Sequence, residues 1–485
     1  MHQLSKTDFL QYLACPEELW LSKNTEEISN PPSLDMLHRM EQGRLIDDLG
    51  KDYFLQQFST DLKGKGWDIL YQSTATADGF LARADIIALN RDSNMVKIYE
   101  VKGSTKIKEE HIKDVAFQKM VFELEGYKVE RCHLIYVDNG YVLNGDLNIE
   151  NLFIVEEITE QVNETYADVQ MKAIEALAFI NGSEPEKRIT LGCCNKLKCS
   201  FVQRHFHDLP DYTVYDISRI HINKLQTLVS NDILDIMDVP SDFPLSKKQR
   251  LQVDIAQNDE IRINREAISG ELNKLEYPLY FLDYETFSYV VPVQNGHRPY
   301  QQMLFQYSLH VVEYPGAKVE HFEYLLNQKE EPVSNLLASL QENIDTDNGT
   351  VLVWNKRFEK DRNKECAEIY PEYSEFLLAL NDRVYDLMDV FTKGYYSHPG
   401  FKGKTSLKNV LPVLCPELSY KILHVQNGLE ANIKWHHWTD GQYRGEENEF
   451  IKRALLKYCQ LDTWAMVRIW EELGRTVLEE SMAVV

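Results

Sequence analysis

Two strand-like stretches in the first half of the chain hold residue types that together can hydrolyse a phosphodiester bond. Asp85 lies in the run GFLARADIIAL, and the next run, MVKIYEVKG, carries Glu100-Val101-Lys102. Side chains alternate along a strand, so Glu100 and Lys102 project from the same face. If the two strands are neighbours, Asp85 and Glu100 can share a divalent cation, and Lys102 can offset charge on a phosphate. The alternative interpretation is a pair of edge strands with ordinary solvated charges.

A second group of acidic residues lies in the last 210 residues or so of the chain. The strand-like stretch YFLDYETFSY puts Asp283 and Glu285 on one face. Adjacent carboxylates on an apolar strand repel each other unless a cation lies between them, so the pair predicts a metal site. Two further pairs stand at i, i+4 spacing on predicted helices: Asn355 with Glu359, and Tyr458 with Asp462.

A cysteine cluster lies between these two groups, in the stretch LGCCNKLKCSFVQRHFH. Cys193, Cys194 and Cys199 stand in a polar, lysine-bearing segment, and His205 and His207 follow. In the cytosol such a cluster is more typical of metal binding than of disulfides. A local zinc site would use two or three of the cysteines plus one of the histidines.

A basic segment, KGYYSHPGFKGKTSLK, interrupts the otherwise acidic second half of the chain at residues 393–408. It contains Lys402, Lys404 and Lys408, with Tyr395 and Tyr396 interleaved and no acidic residue. Aromatic rings stack on bases and lysines contact phosphates, so the segment predicts a path for a single nucleic-acid strand. A solvated, glycine-rich loop is the alternative.

The overall charge limits the kind of nucleic-acid partner. The chain has 76 acidic and 52 basic residues, a net charge of −24, which argues against a broad basic surface that coats nucleic acid. A narrow basic channel in an enzyme stays compatible with it. We find neither a signal peptide nor an apolar run long enough for a membrane span, and therefore predict a cytoplasmic protein with no membrane partner.

Two α/β domains are predicted to position these residues. Helical spacing of apolar residues predicts helices over 5–22, with Ser5 or Thr7 as the N-cap, and over about 33–58. Three strand-like runs, a helix and a further strand follow, so residues 1–210 form the first domain. Residues 211–275 are predicted to be a helical connector, and residues 276–485 the second α/β domain, which ends in a long amphipathic helix.

The order of motifs in the first domain resembles the RecB-type PD-(D/E)XK nucleases, which include the CRISPR adaptation nucleases. The matching features in chain order are Cys15-Pro16, Glu41-Gln42-Gly43, Asp85, Glu100-x-Lys102 and Gln118. The resemblance implies a restriction-endonuclease-like fold in which Asp85 and Glu100 bind metal, Lys102 is the catalytic lysine and Gln118 assists from the next helix. The chain departs from the family at Asp47, near the usual histidine, and at Phe122, where tyrosine is usual.

The motifs of the second domain resemble the DEDD exonucleases, in the subclass with a tyrosine in the last motif. This resemblance implies a ribonuclease H-like fold and 3′–5′ exonuclease activity. It also implies two Mg²⁺ or Mn²⁺ ions bound by four acids: Asp283, Glu285, Glu359 and Asp462. Tyr458 would orient the attacking water. Glu359 stands where aspartate is usual, and Asp361 and Asp386 are the alternatives to it.

The same RecB-type resemblance connects the cysteine cluster to the start of the chain. In the iron–sulfur branch of that family one cysteine lies in the first helix and three follow the nuclease core. The resemblance implies a 4Fe–4S cluster bound by Cys15, Cys193 and Cys199, with His205 in the last place and Cys194 as the competing ligand. Zn²⁺ is the alternative metal.

The sequence therefore predicts a metal-dependent nuclease with two nuclease-like domains that acts on DNA, in particular on single-stranded ends, in repair, processing or defence. DNA is preferred to RNA as the partner. Two alternatives stay open: an RNA-directed 3′–5′ exonuclease, and a non-catalytic nucleic-acid-binding scaffold whose nuclease folds are degenerate.

Overall fold

The chain folds into two compact units. The computed structural model describes residues 2–25, 34–186, 209–345 and 348–483. The first unit comprises residues 1–207 together with 289–300, and the second comprises 208–288 and 301–485. Both units combine helices with a mixed β-sheet, which confirms the predicted α/β class at that level.

The elements of the first unit alternate between helix and strand. Its described helices are Lys6–Ala14 (α1), Pro16–Asn24 (α2), Leu34–Gly64 (α3), Glu109–Leu124 (α4), Ile149–Leu152 (α5) and Thr159–Ile180 (α6). Its described strands are Leu4–Ser5 (β1), Asp68–Ala77 (β2), Phe80–Asn90 (β3), Met95–Lys102 (β4), Lys128–Val137 (β5) and Phe153–Glu157 (β6).

The six strands form one sheet in the order β1-β3-β4-β5-β6, with β2 also paired to β3. Alternating residues of the central strands belong to two apolar clusters, so both faces of the sheet are covered. Ile98 belongs to the cluster that includes residues of α1, α4 and α6, whereas Tyr99 and Val101 belong to the one that includes α3. Since Glu100 has the same parity as Ile98, its side chain lies on the face of α1 and α4.

The predicted first helix is two helices, divided at Cys15. Ser5 caps α1 in a reciprocal arrangement with Asp8, as one of the two predicted N-caps requires. Cys15 is extended (φ −158°, ψ 100°), because the following Pro16 disfavours helical geometry in the residue before it. Pro16 then occupies the first position of α2, where its missing N–H costs nothing.

The second unit has more helices than the first. Its described helices are Ile222–Ser230 (α7), Lys247–Asn258 (α8), Arg265–Leu272 (α9), Val333–Asn343 (α10), Lys356–Ile369 (α11), Ser374–Asp382 (α12), Asp389–Thr392 (α13), Leu407–Leu414 (α14), Gly428–Thr439 (α15) and Glu446–Ala483 (α16). Its described strands are Arg262–Ile263 (β7), Leu279–Ser288 (β8), Gln302–Val312 (β9), Glu320–Leu325 (β10), Thr350–Val353 (β11), Val384–Asp386 (β12) and Tyr396–Ser397 (β13).

Strand β8 is the centre of a five-stranded sheet with the order β10-β9-β8-β11-β12. It runs antiparallel to β9 and parallel to β11. Its burial is nearly continuous, as in a strand covered on both faces, and α16 packs against both β8 and β9. The pairing of β8 with β9 shifts register between Glu285 and Thr286, which is the signature of a β-bulge.

The segment predicted as a connector, residues 211–275, lies within the second unit. It forms α7, α8 and α9, and its short strand β7 pairs with β13. Among the described residues, no helix has the length and apolar character needed to cross a membrane.

Candidate functional sites

The first candidate site begins where β3 and β4 separate. Backbone pairing between them ends at Ile86 and Tyr99, one residue before Asp85 and Glu100 would face each other. Asp85 Oδ2 instead accepts a hydrogen bond from the backbone N–H of Val101 at 2.9 Å. On its other side, Gln72 of β2 has a left-handed backbone conformation (φ 50°), and its side-chain amide donates to Asp85 Oδ1 at 3.2 Å. At this fork in the sheet, where β3 and β4 separate, the carboxylate of Asp85 accepts the hydrogen bond that a backbone carbonyl would otherwise accept.

Glu100 is the centre of a buried polar network. Its Oε1 accepts from Lys6 Nζ at 2.6 Å and from Lys102 Nζ at 2.8 Å. Its Oε2 accepts from the Gln118 side chain at 2.9 Å. Glu100 and Gln118 are 1% and 0% exposed, so these contacts are shielded from solvent. The structure therefore brings Asp85, Glu100, Lys102 and Gln118 together.

Two further residues of this network were missed by the sequence reasoning. Asp114 is 3% exposed and accepts from Lys102 Nζ at 2.6 Å and from the Gln118 amide at 2.9 Å. Lys6 Nζ lies 3.7 Å from Asp114 Oδ1, beside its contact with Glu100. The i, i+4 spacing of Asp114 and Gln118 on α4 is a signal that would have identified Asp114. For Lys6 the only signal is its place at the first position of α1.

The pKa values of Asp85 and Glu100 are shifted in opposite directions. Burial, reinforced by the charge of Glu100, raises the pKa of Asp85 to about 7. Burial alone would also raise the pKa of Glu100, but Lys102 and Lys6 outweigh it and hold this pKa well below its usual range. The pKa of Asp47 is raised by burial and then by the charge of Glu100, so this carboxyl also interacts electrostatically with the site.

Hard-cation ligands are available in this site. Asp85 and Glu100 supply carboxylate oxygens, and Gln118 Oε1 is buried with no hydrogen-bond partner among the described residues. An unpaired buried acceptor is costly, and a bound cation would satisfy it. The donor set fits Mg²⁺ or Mn²⁺, provided that the cation replaces some of the lysine contacts of Glu100.

The second candidate site gathers acidic residues from three elements. Strand β8 carries Asp283 and Glu285, helix α11 carries Glu359, and helix α16 carries Asp462. Glu285 and Asp462 are each 7% exposed and Glu359 is 2% exposed. Three ligand atoms, from Asp283, Glu285 and Cys459, lie within 4.8 Å of one another. The structure therefore places the four predicted acids around one buried region of the second unit.

Mutual repulsion and burial destabilise the ionised forms of these carboxylates, so a nearby positive charge would stabilise them. Burial and then the charge of Asp462 raise the pKa of Asp283 well above its ordinary value. The pKa of Glu285 is likewise raised well above normal by burial, then by Asp283 and Asp462. Burial raises the pKa of Asp462 to about 6, and a hydrogen bond from Tyr420 with the charge of Lys408 prevents a larger rise. Divalent cations bound among these oxygens would remove the repulsion.

Glu359, and neither alternative, faces the carboxylate group. Its pKa is raised by burial and then by Asp283, and its Oε2 is buried without a hydrogen-bond partner in the described chain. Asp386 instead accepts from the backbone N–H groups at the start of α11, those of Asn355 and Lys356, at 3.0 and 2.9 Å. Asp361 Oδ2 lies 3.6 Å from the guanidinium of Arg357, on the partly exposed side of α11.

On one side of the second site, Lys408 supplies an ammonium group and Tyr458 a hydroxyl group. Lys408 Nζ lies 3.4 Å from the Tyr458 hydroxyl and 5.3 Å from the ring centroids of both Tyr458 and Tyr420. Tyr420 donates a hydrogen bond to Asp462 Oδ1. Burial raises the pKa of the Tyr458 hydroxyl far above its normal value, so it stays protonated at any physiological pH.

Three residues of the second site were not singled out from the sequence. Tyr420 lies far from every motif, and no sequence signal identifies it. Cys459 Sγ lies 3.8 Å from Asp283 Oδ2, and its position inside the Tyr458–Asp462 motif is the signal that was overlooked. A Cβ on Gly428 would lie 3.6 Å from Glu285 Oε2, so the start of α15 forms a close wall of the site.

The residues of the basic segment 393–408 contact different parts of the second unit. Lys402 Nζ donates to the backbone carbonyl of Asp211 at 3.2 Å, and Lys404 Nζ lies 2.9 Å from Asp216 Oδ1. Lys408 belongs to the carboxylate site, as described above. The ring of Tyr396 packs near Phe391 and Phe401, and Tyr395 lies beneath Lys393. The structure thus brings only one of the three predicted lysines to the acids.

The predicted metal–cysteine cluster falls mostly outside the described chain. Cys193, Cys194, Cys199 and His205 lie in the segment 187–208, beyond the described residues. Cys15 is described: it is partly buried between α1 and α2, and its Sγ accepts from the Glu18 N–H at 3.5 Å as the N-cap of α2. The iron–sulfur or zinc site therefore stays a prediction.

The chain is similar in sequence to several uncharacterised proteins. Residues 280–406 match the family described as a domain of unknown function, DUF2779. The uncharacterised protein MG366 of Mycoplasma genitalium is 28% identical over 215 residues, which is 41% of this chain and 32% of that protein. The uncharacterised protein UU173 of Ureaplasma parvum is 24% identical over 305 residues, 56% of this chain and 42% of that protein. The chain thus spans less than half the length of these relatives. The DUF2779 match contains Asp283, Glu285 and Glu359 and ends before Tyr458 and Asp462.

Proposed function

We propose that this chain is a metal-dependent nuclease that hydrolyses phosphodiester bonds of DNA, with a separate site in each unit. The observation that carries the proposal is a group of four acids in the second unit, of which Glu285, Glu359 and Asp462 are buried and Asp283 is partly buried. Three of them have a pKa well above normal, and that of Asp462 is also raised. Keeping four carboxylates together in a largely buried region is unfavourable, and binding of divalent cations is the usual reason for it.

The two folds are part of the same proposal. A RecB-type PD-(D/E)XK domain accounts for Asp85, Glu100, Lys102 and Gln118 converging at a fork in the first sheet. A ribonuclease H-like exonuclease domain of the tyrosine subclass accounts for the D-x-E pair on the central strand of the second. The cysteine-bound 4Fe–4S or zinc site and a role in DNA repair, processing or defence extend this proposal by resemblance alone.

In either site the bound divalent cations would supply an activated water and stabilise charge on the leaving oxygen. In the second unit, Lys408 donates toward the Tyr458 hydroxyl oxygen and leaves the hydroxyl proton available to an acceptor. Because Tyr458 stays protonated, it can orient a water or phosphate oxygen next to the carboxylates without exchanging a proton.

In the first unit, the lysines define the position of the phosphate. Lys102 and Lys6 both contact Glu100 Oε1 and remain charged, because the surrounding acids outweigh the effect of burial and raise the pKa of each lysine. If a cation were bound by the carboxylate of Glu100, the ammonium groups of Lys6 and Lys102 would be available to a phosphate oxygen. Asp114 and Gln118 hold Lys102 and Glu100 in place from α4.

The test is hydrolysis of end-labelled single-stranded DNA, double-stranded DNA and RNA by the purified full chain with Mg²⁺ or Mn²⁺. Glu100→Gln and Asp283→Asn each remove one ligand, and the double variant disables both sites. Asp146→Asn and Glu320→Gln are matched controls, since both residues are exposed and lie outside the sites.

We expect metal-dependent loss of substrate, reduced at least about 100-fold in the double variant, since even removal of a group behind a metal ligand costs 10- to 100-fold. The controls should keep full activity. Each single variant then reports which unit acts on which substrate. Activity that survives in the double variant would exclude these sites as its source.

A non-catalytic scaffold is the second candidate, and one observation favours it for the first unit. Glu100 is already satisfied by Lys6, Lys102 and Gln118, as in a structural ion-pair network. In that case the chain would bind labelled strands, and no metal would lead to their hydrolysis.

A further inference from the structure

The second unit contains a cavity that the carboxylate site does not explain. It has a volume of about 600 Å³ and lies among α7, α8 and the segment 391–405. None of Asp283, Glu285, Glu359 and Asp462 lines it. Cavities of roughly 300–1,000 Å³ are the usual size of small-molecule sites. The cavity is therefore large enough for a ligand of its own.

The wall of this cavity is cationic in a chain that is strongly acidic overall. The lysines and arginine that line it are Arg219, Lys224, Lys248, Lys393 and Lys404. His221 and His398 also line it, whereas no aspartate or glutamate is among the described lining residues. Such a concentration of one sign of charge in a concave, partly desolvated site favours an anionic ligand.

Three of the five cations form no ion pair with an acidic side chain among the described residues. Lys404 lies 2.9 Å from Asp216, and Lys393 lies 3.3 Å from Glu271. Lys248 Nζ donates to the backbone carbonyl of Thr392. Arg219 and Lys224 form no ion pair with any acidic side chain in the part of the chain that the structure describes. The cavity therefore retains net positive charge.

One side of the cavity is aromatic. Tyr396, Phe391, Phe401 and His398 form a connected group of rings, with neighbouring centroids 5.7–6.1 Å apart. Tyr396 and His398 are partly exposed, whereas Phe391 and Phe401 form the buried floor. A planar ring stacks favourably on such a surface.

The part of the wall formed by α8 is held in shape by Gln252. Its amide donates to the Tyr212 hydroxyl at 2.8 Å and to the Asp216 carbonyl at 2.9 Å, and its Oε1 accepts from the Ser218 N–H at 2.9 Å. Gly403 (φ 69°) lies against the same amide, at a distance that leaves no room for a Cβ. These contacts fix the cavity before any ligand arrives, which lowers the ordering cost of binding.

We infer that this cavity binds a nucleotide, with the base on the aromatic side and the phosphate among Arg219, Lys224 and Lys248. The source of the nucleotide is either a free nucleoside monophosphate or the 5′-phosphorylated end of a strand. The site differs from a path along the segment 393–408, because Tyr395, Lys402 and Lys408 do not line it. The inference does not rest on the proposed hydrolysis.

The experiment is calorimetric titration of the full chain carrying Glu100→Gln and Asp283→Asn, in EDTA, so that hydrolysis does not interfere. The probes are adenosine 5′-monophosphate, inorganic phosphate, and a short single-stranded DNA with either a 5′-phosphate or a 5′-hydroxyl. Lys224→Gln with Lys248→Gln removes two charges from the cavity. Lys318→Gln with Lys364→Gln removes two from exposed positions of the same unit that do not line it.

We expect saturable binding of the monophosphate, weakened about tenfold or more by the cavity pair of substitutions and by less than twofold by the control pair. Tyr396→Leu should weaken binding of adenosine 5′-monophosphate and leave binding of inorganic phosphate unchanged, since only the nucleotide has a base to stack.

The DNA probes identify the source. Preference for the 5′-phosphorylated strand over the 5′-hydroxyl strand, lost in the cavity pair, assigns the site to a strand end, whereas binding of the free monophosphate alone assigns it to a small molecule. Absence of saturable binding by every probe would overturn the inference. Equal weakening by both pairs, or binding of inorganic phosphate as tight as that of the monophosphate, would also overturn the assignment to a nucleotide.

Discussion

At the scale of single residues, Asp85 is the most informative side chain of the first unit. Its carboxyl lies at the fork between β3 and β4, 8% exposed, and burial raises its pKa to about 7. The folded protein therefore binds this proton more tightly than the unfolded chain. Stability from this group is present at low pH and is lost progressively as the pH rises from about 4 to about 7.

Asp85→Asn should therefore stabilise the metal-free protein at pH 8 more than at pH 5, because only at pH 8 does the natural residue carry a full buried charge. We expect a rise in melting temperature of roughly 2–8 °C at pH 8 and less than half of that at pH 5. Thermal unfolding in EDTA measures both. Asp146→Asn, at an exposed position, should change neither, and an equal rise at the two pH values would contradict the assignment.

Tyr458→Phe tests the second site at the same scale. Removing the hydroxyl leaves the ring packing intact and takes away the group that we expect to orient the attacking water. In the Glu100→Gln background, kcat for single-stranded DNA should fall about 100-fold with little change in KM. Tyr314→Phe is the control, since Tyr314 is 64% exposed and outside the site. If kcat fell as much in Tyr314→Phe as in Tyr458→Phe, this would contradict a catalytic role for Tyr458.

The sequence identified the residues whose partners are close along the chain. The patterns E-x-K and D-x-E place Glu100 with Lys102, and Asp283 with Glu285, through strand alternation alone. Lys6 and Tyr420 were missed because they reach their sites through tertiary packing, from 94 and 42 residues away along the chain. Periodicity carries no information about such contacts.

At the scale of elements, the contact of α3 with β4 positions the first site from behind. A Cβ on Gly50 of α3 would lie 2.7 Å from Val101 Cγ1, which is closer than such carbons approach. Val101 stands between Glu100 and Lys102, and its side chain points to the opposite face of the sheet. The absence of a side chain at Gly50 therefore lets the helix support the strand that carries both residues.

Gly50→Ala should destabilise the first unit by roughly 1–3 kcal/mol, since the added methyl overpacks this contact by more than the improved helix propensity of alanine compensates. The matched change in the same helix, Gly43→Ala, meets nothing within 4 Å and should stabilise by up to about 1 kcal/mol. Chemical denaturation of the two variants measures the difference. Similar stabilities would mean that α3 accommodates the methyl without cost.

Elements were predictable from the sequence where local signals are strong. The strands β3, β4 and β8 and the long last helix, α16, appear where apolar patterning predicts them. The break at Cys15 was missed because the hydrophobic period continues through Pro16, whereas the restriction that proline places on its predecessor acts on the backbone. The bulge after Glu285 has no sequence signal, since it arises from the pairing of two strands.

At the scale of the whole molecule, the chain passes between its two units more than once. It enters the second unit at Asp208, contributes residues 289–300 to the first, and returns at Gln301. Val290, 1% exposed, belongs to the apolar cluster that also includes Tyr99 and Val101. Residues 289–300 follow β8 directly, so the sequence predicts them in the second domain, and only the tertiary contacts assign them to the first unit.

Val290→Ala should therefore lower the stability of the first unit by roughly 1–3 kcal/mol, although the residue lies between two strands of the second sheet. Hydrogen exchange should show faster opening of β4 and β5, with little change in β8 and β9. Val142→Ala, 42% exposed in the first unit, should change stability by less than about 0.5 kcal/mol. Faster exchange confined to β8 and β9 would contradict the assignment of this segment to the first unit.

The path of the chain also sets the order in which the protein can be completed during its synthesis. Residues 208–288, which belong to the second unit, must be synthesised before residues 289–300 of the first unit exist. At about 5–20 residues per second this takes roughly 4–16 seconds. Strand β8, with Asp283 and Glu285, therefore leaves the ribosome before the first unit can close its core.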